Sequence, residues 1–263
     1  MSYIYHDVVA DVDISGFPGA DASWYKIPPA IFQEQLETIV HNAAFPPERL
    51  SETYAPIPKG DMTLFTFDDG GSSAIDTVAE ILERYGLRGR FFVVTNLLGE
   101  RGFLLPSQCR ELASRGHVIG SHSASHPLRF RTLSPQAQLQ EWRQSRVALE
   151  QILGAEVKTA SIPGGDYSRD VSLFAAEAGY QLLFTSEPSA RVTCISGRIL
   201  VAGRYMLTRV TTSAELRGLA RLDRRLRMKR WLQWNGRKCA KRTLGSGYDH
   251  LRRHLLSRRQ GKR

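Results

Sequence analysis

The stretch Thr63-Leu-Phe-Thr-Phe67-Asp68-Asp69-Gly70 says most about the fold of this 263-residue chain. Residues 63–67 form a short apolar run of the kind that lies buried in a parallel sheet. Two adjacent carboxylates at the end of such a strand repel each other and lose hydration, which is costly unless something offsets their charge. A bound divalent cation would offset this charge. The ordinary alternative is that Asp-Asp-Gly forms a turn without a bound ion.

A second motif, His122-Ser-Ala-Ser-His126, follows about fifty residues later. Two histidines and one carboxylate form a common metal site with open positions for water, and the other carboxylate then remains free to act as a base. A histidine pair of this spacing is by itself usually two unrelated surface side chains. The two motifs together, each at the end of a predicted strand, favour a metal-assisted hydrolase.

Strand and helix patterns alternate along the chain after residue 62. A strand at 3–5 and a helix at 29–41 come first. The later strands are predicted at 63–67, 90–95, 117–121, 157–162 and 181–185, and the helices at 73–85, 106–115, 135–153 and 170–178. Such alternation predicts a parallel sheet or barrel, in which active sites lie at the carboxyl ends of the strands. Both motifs fall at such ends.

The charge divides the chain into two parts. Residues 215–263 contain 17 lysines and arginines and three acidic residues, whereas residues 1–214 carry a net charge of −4. We therefore predict a catalytic domain at 1–214 and a basic, partly helical tail at 215–263. The three scattered cysteines argue against a disulfide framework, and the N-terminus lacks the pattern of a secretory signal. No apolar run approaches the roughly 20 residues of a membrane span, so a cytoplasmic protein is expected.

Three motifs resemble those of the polysaccharide deacetylases with a NodB-homology domain, carbohydrate esterase family 4. Residues 66–70 resemble the first motif of the family, residues 116–126 the second, and residues 161–168 a variant of the third. The resemblance implies a deformed (β/α) barrel and metal-dependent removal of an acetyl group from a sugar in an acetylated saccharide. A catalytically silent carbohydrate-binding relative and an amidase that acts on a non-sugar amide are the alternatives.

The resemblance also implies roles for individual residues. Asp68 is the expected general base, and Asp69, His122 and His126 are the expected ligands of a divalent metal. Zn²⁺ is the expected ion, with Co, Mn and Ni as alternatives. Ser123 is expected to brace the histidine loop, whereas the nearby His117 is expected to be structural.

The third motif is expected to shape the sugar site. Pro163, Gly165 and Tyr167 would line it, and backbone N–H groups of residues 165–167 would hold the oxyanion. Ser161 stands where the family usually has an arginine that orients the base. Arg204 could take over that role, or it could be an ordinary surface residue.

The general acid is the second departure from the family pattern. The usual late Leu-x-His is absent. The first histidine after His126 is His250, which lies in the basic tail. The opening Ile4-Tyr5-His6 has the same local pattern, and it resembles poly-N-acetylglucosamine deacetylases whose barrel is circularly permuted. We therefore predict His6 as the general acid.

The basic tail interleaves apolar and basic side chains at imperfect helical spacing. Its apolar residues are Leu216, Leu219, Leu222, Leu226, Met228, Trp231, Leu232 and Trp234. Tryptophans and clustered basic residues are typical of helices that lie on anionic membranes, which predicts a peripheral location at the inner membrane face. A solvated helix packed on the barrel with a disordered end is the alternative, and nucleic-acid contact is a weaker one.

Overall fold

Nine strands form one curled sheet in the computed structural model, which describes residues 1–53 and 55–244. The strand order is β7-β8-β6-β5-β4-β3-β2-β1-β9, and only β7 and β8 pair antiparallel. The strands are β1 (Ser2–Tyr5), β2 (Leu64–Phe67), β3 (Gly89–Val93), β4 (Val118–Ser121), β5 (Thr159–Ser161), β6 (Leu182–Phe184), β7 (Val192–Ile195), β8 (Ile199–Ala202) and β9 (Tyr205–Met206).

Eight α-helices accompany the sheet in the described residues. They are α1 (Ala20–Ser23), α2 (Pro29–Asn42), α3 (Glu80–Arg84), α4 (Pro106–Ser114), α5 (Pro135–Leu153), α6 (Arg169–Glu177), α7 (Ser213–Ala220) and α8 (Arg224–Leu244). A curled, mostly parallel sheet with helices between its strands confirms the predicted α/β fold, the deformed (β/α) barrel.

The sheet buries side chains on both of its faces, as expected for parallel strands. One face carries the large core, and the other carries a smaller cluster of Leu64, Phe92, Leu182, Phe184 and Ala202. Because side chains alternate along a strand, residues 64, 66 and 68 face the same side as this smaller cluster. Asp68 therefore points toward the inside of the curled sheet.

Helix α5 shows how local sequence fixes an element. The hydroxyl of Ser134 accepts a hydrogen bond from the N–H of Ala137, and Pro135 occupies the first turn. Gly154 ends the helix in the left-handed conformation, with φ of 64°. Both ends were expected from the sequence, because serine, proline and glycine are favoured at these positions.

Two parts of the fold differ from the sequence prediction. The helix predicted at 73–85 is a π-helical turn, Ala74–Ala79, followed by α3. Its start is fixed from outside, because Asp7 and Val8 bond to the Ser73 hydroxyl. The strands β7, β8 and β9 were not predicted, since they have only two to four residues and β7 is largely exposed.

The C-terminal part of the described chain consists of two helices. Helix α7 crosses the predicted domain boundary after residue 214, and it packs on α2 with Leu216 and Leu219 buried. Leu222 has a φ of 62° between α7 and α8, so the apolar residues predicted at imperfect helical spacing over 216–234 lie on two helices. Among the described residues, every helix is too short or too polar to cross a bilayer. His250 and the rest of 245–263 lie outside the described residues.

Candidate metal and catalytic site

Three side chains of the predicted metal site converge at the carboxyl ends of β2 and β4. One carboxylate oxygen of Asp69 and one ring nitrogen each of His122 and His126 lie within 4.8 Å of one another. Oδ1 of Asp69 is 3.4 Å from Nε2 of His122 and 3.5 Å from Nε2 of His126. The parallel sheet creates this cluster, because it brings the ends of neighbouring strands to one edge.

The loops that hold these residues have unusual backbone conformations. Asp69, Ser123 and His126 all have positive φ, at 78°, 67° and 57°. Such conformations cost about 1–3 kcal/mol each in non-glycine residues and persist only where neighbouring contacts impose them. The hydroxyl of Ser123 accepts a hydrogen bond from the N–H of His126, 3.1 Å away.

Glu141 of α5 holds the same histidine loop from its other side. Its carboxylate accepts hydrogen bonds from the N–H groups of Ala124 and Ser125 and from the Ser125 hydroxyl, at 2.6–3.0 Å. The sequence did not identify Glu141, because it lies outside the motifs and reads as an ordinary polar helix residue. The loop conformation is therefore imposed by a helix that follows it in the chain.

The donor set fits a divalent ion. Nδ1 of His122 lies 2.9 Å from the carbonyl oxygen of Ser161, and only a protonated nitrogen can donate to a carbonyl. Nε2 of His122 is then the ring nitrogen that faces Asp69 and is left for a metal, which is the usual arrangement for a metal-binding histidine. Two ligands about 2.1 Å from a tetrahedral zinc lie about 3.4 Å apart. The observed separations of 3.4 and 3.5 Å match that value.

Electrostatics keep this cluster ready for a cation. Burial opposes ionisation of Asp69, but His122, His6 and His126 outweigh it and hold the pKa of its carboxyl well below the ordinary value. Burial and the neighbouring His122 lower the pKa of His126 to about 4. A negative carboxylate beside a neutral imidazole is a suitable environment for a divalent metal.

Asp68 lies beside the three candidate ligands and is bound by Arg204. The guanidinium donates to both carboxylate oxygens, at 2.7 and 2.8 Å, and the Ser161 hydroxyl donates to Oδ2 at 3.0 Å. Burial opposes ionisation of Asp68, but the positive charge of Arg204, followed by that of His122, lowers the pKa of the carboxyl below its usual value. Asp68 is therefore a buried, ionised carboxylate.

Arg204 is fully buried, so the alternative of a surface residue is wrong. It lies in the turn between β8 and β9, and it also donates to the Thr185 carbonyl, to Thr66 Oγ1 and to Ser161 Oγ. Ser161 reaches Asp68 with its hydroxyl but cannot supply the positive charge of an arginine. Its hydroxyl instead joins the pair formed by Arg204 and Asp68.

His6 directly follows β1, and Asp68 directly follows β2 at the same level of the sheet. Tyr5 and Phe67 are partners in the parallel register, and the Asp68 N–H donates to the Tyr5 carbonyl. The His6 ring lies 4.9 Å from the ring of Tyr25, and its buried Nδ1 has no hydrogen-bond partner in the described residues. The charge of His6 is among the influences that lower the pKa values of Asp68 and Asp69.

Asp7, which follows His6, anchors this end of β1. Its buried carboxylate accepts hydrogen bonds from the hydroxyls of Ser15 and Ser73. Gly71 packs so closely that a Cβ there would lie 2.0 Å from an Asp7 oxygen. This contact ties the backbone after His6 to the loop after Asp69. In the sequence, the only sign of this role of Asp7 was its position next to His6.

The third motif forms a tight turn after β5. Pro163 is buried, and Gly165 has a φ of 64°. The N–H groups of residues 165, 166 and 167 donate to the carbonyls of Ile162, Pro163 and Gly165. The turn thus engages these N–H groups in the structure without substrate, and their role in holding an oxyanion stays a prediction. Tyr167 is partly buried against the main core.

Comparisons with known proteins agree with this architecture. Residues 56–183 match the family model described as polysaccharide deacetylase. The chain is 29% identical over 163 residues to YxkH of Bacillus subtilis, an alignment that covers 62% of this chain and 56% of that protein. The chain thus spans little more than half the length of this curated relative.

Two solved structures share the fold. The Streptococcus pyogenes deacetylase PplD, in complex with acetate, superposes with a TM-score of 0.64 at 19% identity, over 81% of this chain and 94% of that chain. IcaB from Ammonifex degensii gives a TM-score of 0.65 at 18% identity, over 84% and 96%. The predicted circular permutation stays a prediction.

Proposed function

We propose, from the premise that residues 56–183 form a domain of the polysaccharide deacetylase family, that this chain is a metal-dependent hydrolase that removes acetyl groups from an N-acetylhexosamine. The sugar would belong to a polysaccharide, an oligosaccharide or a lipid-linked saccharide. The observation that carries the proposal is the cluster of Asp69, His122 and His126 beside the ionised Asp68. Its cytoplasmic location stays a prediction.

Asp69, His122 and His126 are the proposed ligands of the metal, with Zn²⁺ as the expected ion and Co, Mn and Ni as alternatives. When bound, such an ion supplies a Lewis acid that polarises the acetyl carbonyl and acidifies water. The hydrogen bond between His122 and the Ser161 carbonyl fixes the tautomer of one ligand. Ser123 and Glu141 hold the loop of the other histidine.

Asp68 is the proposed general base. A carboxylate has about four lone-pair positions. Oδ2 accepts from Arg204 and Ser161, whereas Oδ1 accepts only from Arg204 among the described residues. Oδ1 can therefore still accept a proton from the attacking water. Arg204 fixes both oxygens in one plane and keeps the carboxyl ionised. A general base of this kind contributes about 10²–10⁴-fold in rate.

His6 is the proposed general acid, which gives a proton to the departing amine. The parallel pairing of β1 and β2 supports this role, because it puts the histidine level with the base. Pro163, Gly165 and Tyr167 are proposed to form the wall of the sugar site.

Two observations support an active enzyme over a silent carbohydrate-binding relative. The departures that favoured the silent relative were Ser161 and the missing late histidine. Arg204 now provides the guanidinium that the third motif lacks, and it does so with two hydrogen bonds to Asp68. His6 follows the strand next to that of Asp68, and its charge helps to lower the pKa of the same carboxylate.

The proposal is tested by acetate release from N-acetylglucosamine oligosaccharides. The purified full chain is stripped with a chelator and then reloaded separately with Zn, Co, Mn or Ni. We expect activity only after reloading. Binding of the oligosaccharide without acetate release under any metal would support the silent relative instead.

A matched substrate separates the sugar deacetylase from the amidase. An N-acetylated lysine peptide presents the same acetamide without a sugar ring. We expect the oligosaccharide to be the better substrate by kcat/KM. Faster hydrolysis of the peptide would contradict the assignment of a carbohydrate substrate.

A further inference from the structure

Helix α8 packs on the barrel with one of its faces. Arg230 forms an ion pair with Glu215 at 2.6 Å, and Arg227 donates to the hydroxyl of Tyr205 at 3.1 Å. Trp234 lies against the turn of the third motif, where a Cβ on Gly165 would be 3.1 Å from its ring. Residues 227, 230 and 234 recur at helical spacing, so these contacts define a single inner face.

The opposite face of α8 exposes large apolar side chains. Met228 is 57% exposed, Trp231 41% and Leu232 57%. The outer face of a helix that packs on a soluble domain is ordinarily polar. Here three bulky apolar residues at spacings of three and four form a stripe that the barrel leaves uncovered.

Basic residues flank this stripe. Arg224, Arg225 and Lys229 are exposed, and residues 224–244 contain nine lysines and arginines but no acidic residue. An apolar stripe with tryptophan, bordered by basic side chains, is the composition of helices that lie in the plane of a lipid interface. A nucleic-acid backbone would account for the charge, but it would leave Met228 and Leu232 without a partner.

We propose that the outer face of α8, centred on Met228, Trp231 and Leu232 and flanked by Arg224, Arg225 and Lys229, binds the surface of an anionic lipid bilayer. The apolar stripe enters the boundary between headgroups and acyl chains, while the basic side chains contact anionic headgroups. Each basic residue near such a surface adds to the attraction, so three of them together with the stripe can hold the chain reversibly.

The position of α8 connects this surface with the candidate site. Trp234 contacts Gly165, and the adjoining Gly164 lies next to the Leu128 carbonyl. Leu128 is two residues past His126, and its side chain is 76% exposed. The bilayer-binding helix thus borders the same turn as the histidine loop. If the proposed function holds, the substrate is a saccharide held at a membrane surface, since attachment raises its local concentration at the site.

The test is co-sedimentation of the full chain with vesicles of phosphatidylcholine, with and without phosphatidylglycerol. One variant reverses charge on the outer face, Arg225→Glu with Lys229→Glu. A second removes the apolar stripe, Met228→Ser with Trp231→Ser and Leu232→Ser. All changed side chains are exposed, and circular dichroism checks that the fold is kept.

Matched controls lie elsewhere on the surface. Arg101→Glu with Arg110→Glu removes two exposed basic side chains outside α8, and Val147→Ser removes an exposed apolar side chain of α5. We expect the wild type and both controls to sediment with the anionic vesicles. Each α8 variant should partition at least about tenfold more weakly, because charge and stripe both contribute.

Several outcomes would overturn the proposal. Equal sedimentation of the wild type and both α8 variants would do so. A second combination would do so as well. If the variant without the apolar stripe binds anionic vesicles fully, and a single-stranded oligonucleotide displaces the wild type from them, the surface is a charge-driven nucleic-acid site.

The membrane inference and the proposed function fail separately. Asp69→Ala should bind vesicles like the wild type, whereas the α8 variants should release acetate normally from a soluble oligosaccharide. With an N-acetylated oligosaccharide tethered to lipid in the vesicles, the wild type should be at least severalfold faster than either α8 variant. If the wild type and the α8 variants hydrolyse this tethered substrate at equal rates while only the wild type binds vesicles, the inference of a membrane-held substrate is wrong. The bilayer-binding surface on α8 would still be supported.

Discussion

Two buried pairs of arginine and carboxylate lie inside the same curled sheet. Arg204 bonds both oxygens of Asp68 at 2.7 and 2.8 Å, and Arg90 bonds both oxygens of Glu48 at 2.6 and 2.8 Å. Both arginines are fully buried and both carboxylates nearly so. In geometry and burial the two pairs are almost equivalent.

Their neighbours differ. Phe92 lies between the two levels, because Arg90 precedes it by two residues on the same face of β3 and Arg204 lies over its ring at 5.7 Å. Toward the amino ends of the strands, Arg90 also donates to the carbonyls of Ala55 and Pro56. Toward the carboxyl ends, the Asp68 pair instead adjoins His122 and Ser161.

The comparison shows that a buried ion pair does not by itself indicate a catalytic site. Burying two charges is costly, and the mutual attraction roughly offsets that cost only when the remaining hydrogen bonds are satisfied. Arg88 and backbone carbonyls complete the Glu48 pair, so it ties the connection between α2 and β2 to the sheet. Titratable side chains surround Asp68, so its charge can act on other groups.

The largest expected loss of activity comes from removing the candidate metal ligands, which adjoin only the Asp68 pair. Asp69→Ala deletes the one carboxylate of the ligand cluster and leaves Arg204 and Asp68 in contact. We expect acetate release to become undetectable and bound metal, measured by atomic emission, to be lost. The free energy of unfolding of the metal-free protein should change little; an Asp69→Ala enzyme that keeps both metal and turnover would contradict the ligand assignment.

The next largest effect distinguishes the roles of the carboxylates of Asp68 and Glu48. Asp68→Asn should keep bound metal but lower kcat by about 10²–10⁴-fold, because the amide cannot accept the proton. Glu48→Gln is the matched control, and it should keep the kcat of the folded fraction. Comparable losses of kcat in the two variants would mean that Asp68 acts through stability alone.

The two arginines should then differ in what their removal affects. Arg204→Met leaves the buried Asp68 without its guanidinium, which destabilises by about 3–5 kcal/mol. Arg90→Met should cost less, because Arg88 still lies 3.4 Å from Glu48. Urea unfolding measures this loss for both variants. Only Arg204→Met should also lower kcat in the molecules that remain folded, with KM little changed, because Arg204 positions the base. An unaltered kcat would restrict Arg204 to a structural role.

The smallest expected effect concerns His117, which lies beside the amino-end pair. Its Nδ1 accepts from the Gly89 N–H and its Nε2 contacts Glu83, so it is held neutral. Burial, partly offset by Glu83, lowers the pKa of His117 below the ordinary 6.5. The unfolded chain therefore binds a proton first as the pH falls.

The contribution of His117 to stability is thus complete above about pH 6.5 and decreases as the pH falls toward its folded pKa. His117→Gln can make both hydrogen bonds without titrating. In urea unfolding of the metal-free protein, the variant should lose less stability than the wild type between neutral and mildly acidic pH. Identical pH dependence in both proteins would show that His117 does not titrate in this window.

The predicted elements succeeded where the signal was local. Helix α2 was predicted at 29–41 and is found at Pro29–Asn42, because apolar periodicity and an initial proline specify it. The π-helical turn was missed because contacts from Asp7 and Val8, more than 60 residues away, fix its start. The break between α7 and α8 was not predicted because the left-handed Leu222 gives no signal in the pattern.

The sequence alone determined that Asp68, Asp69, His122 and His126 follow buried strands, and parallel strands bring such ends to one edge. Only the tertiary structure decided that Arg204 lies against Asp68, because that contact joins residues 136 positions apart. It also decided that His6 lies level with Asp68, through the pairing of β1 with β2. Local periodicity specifies an element and its ends, whereas the partner of a side chain depends on how distant elements pack, and no pattern along the chain records that packing.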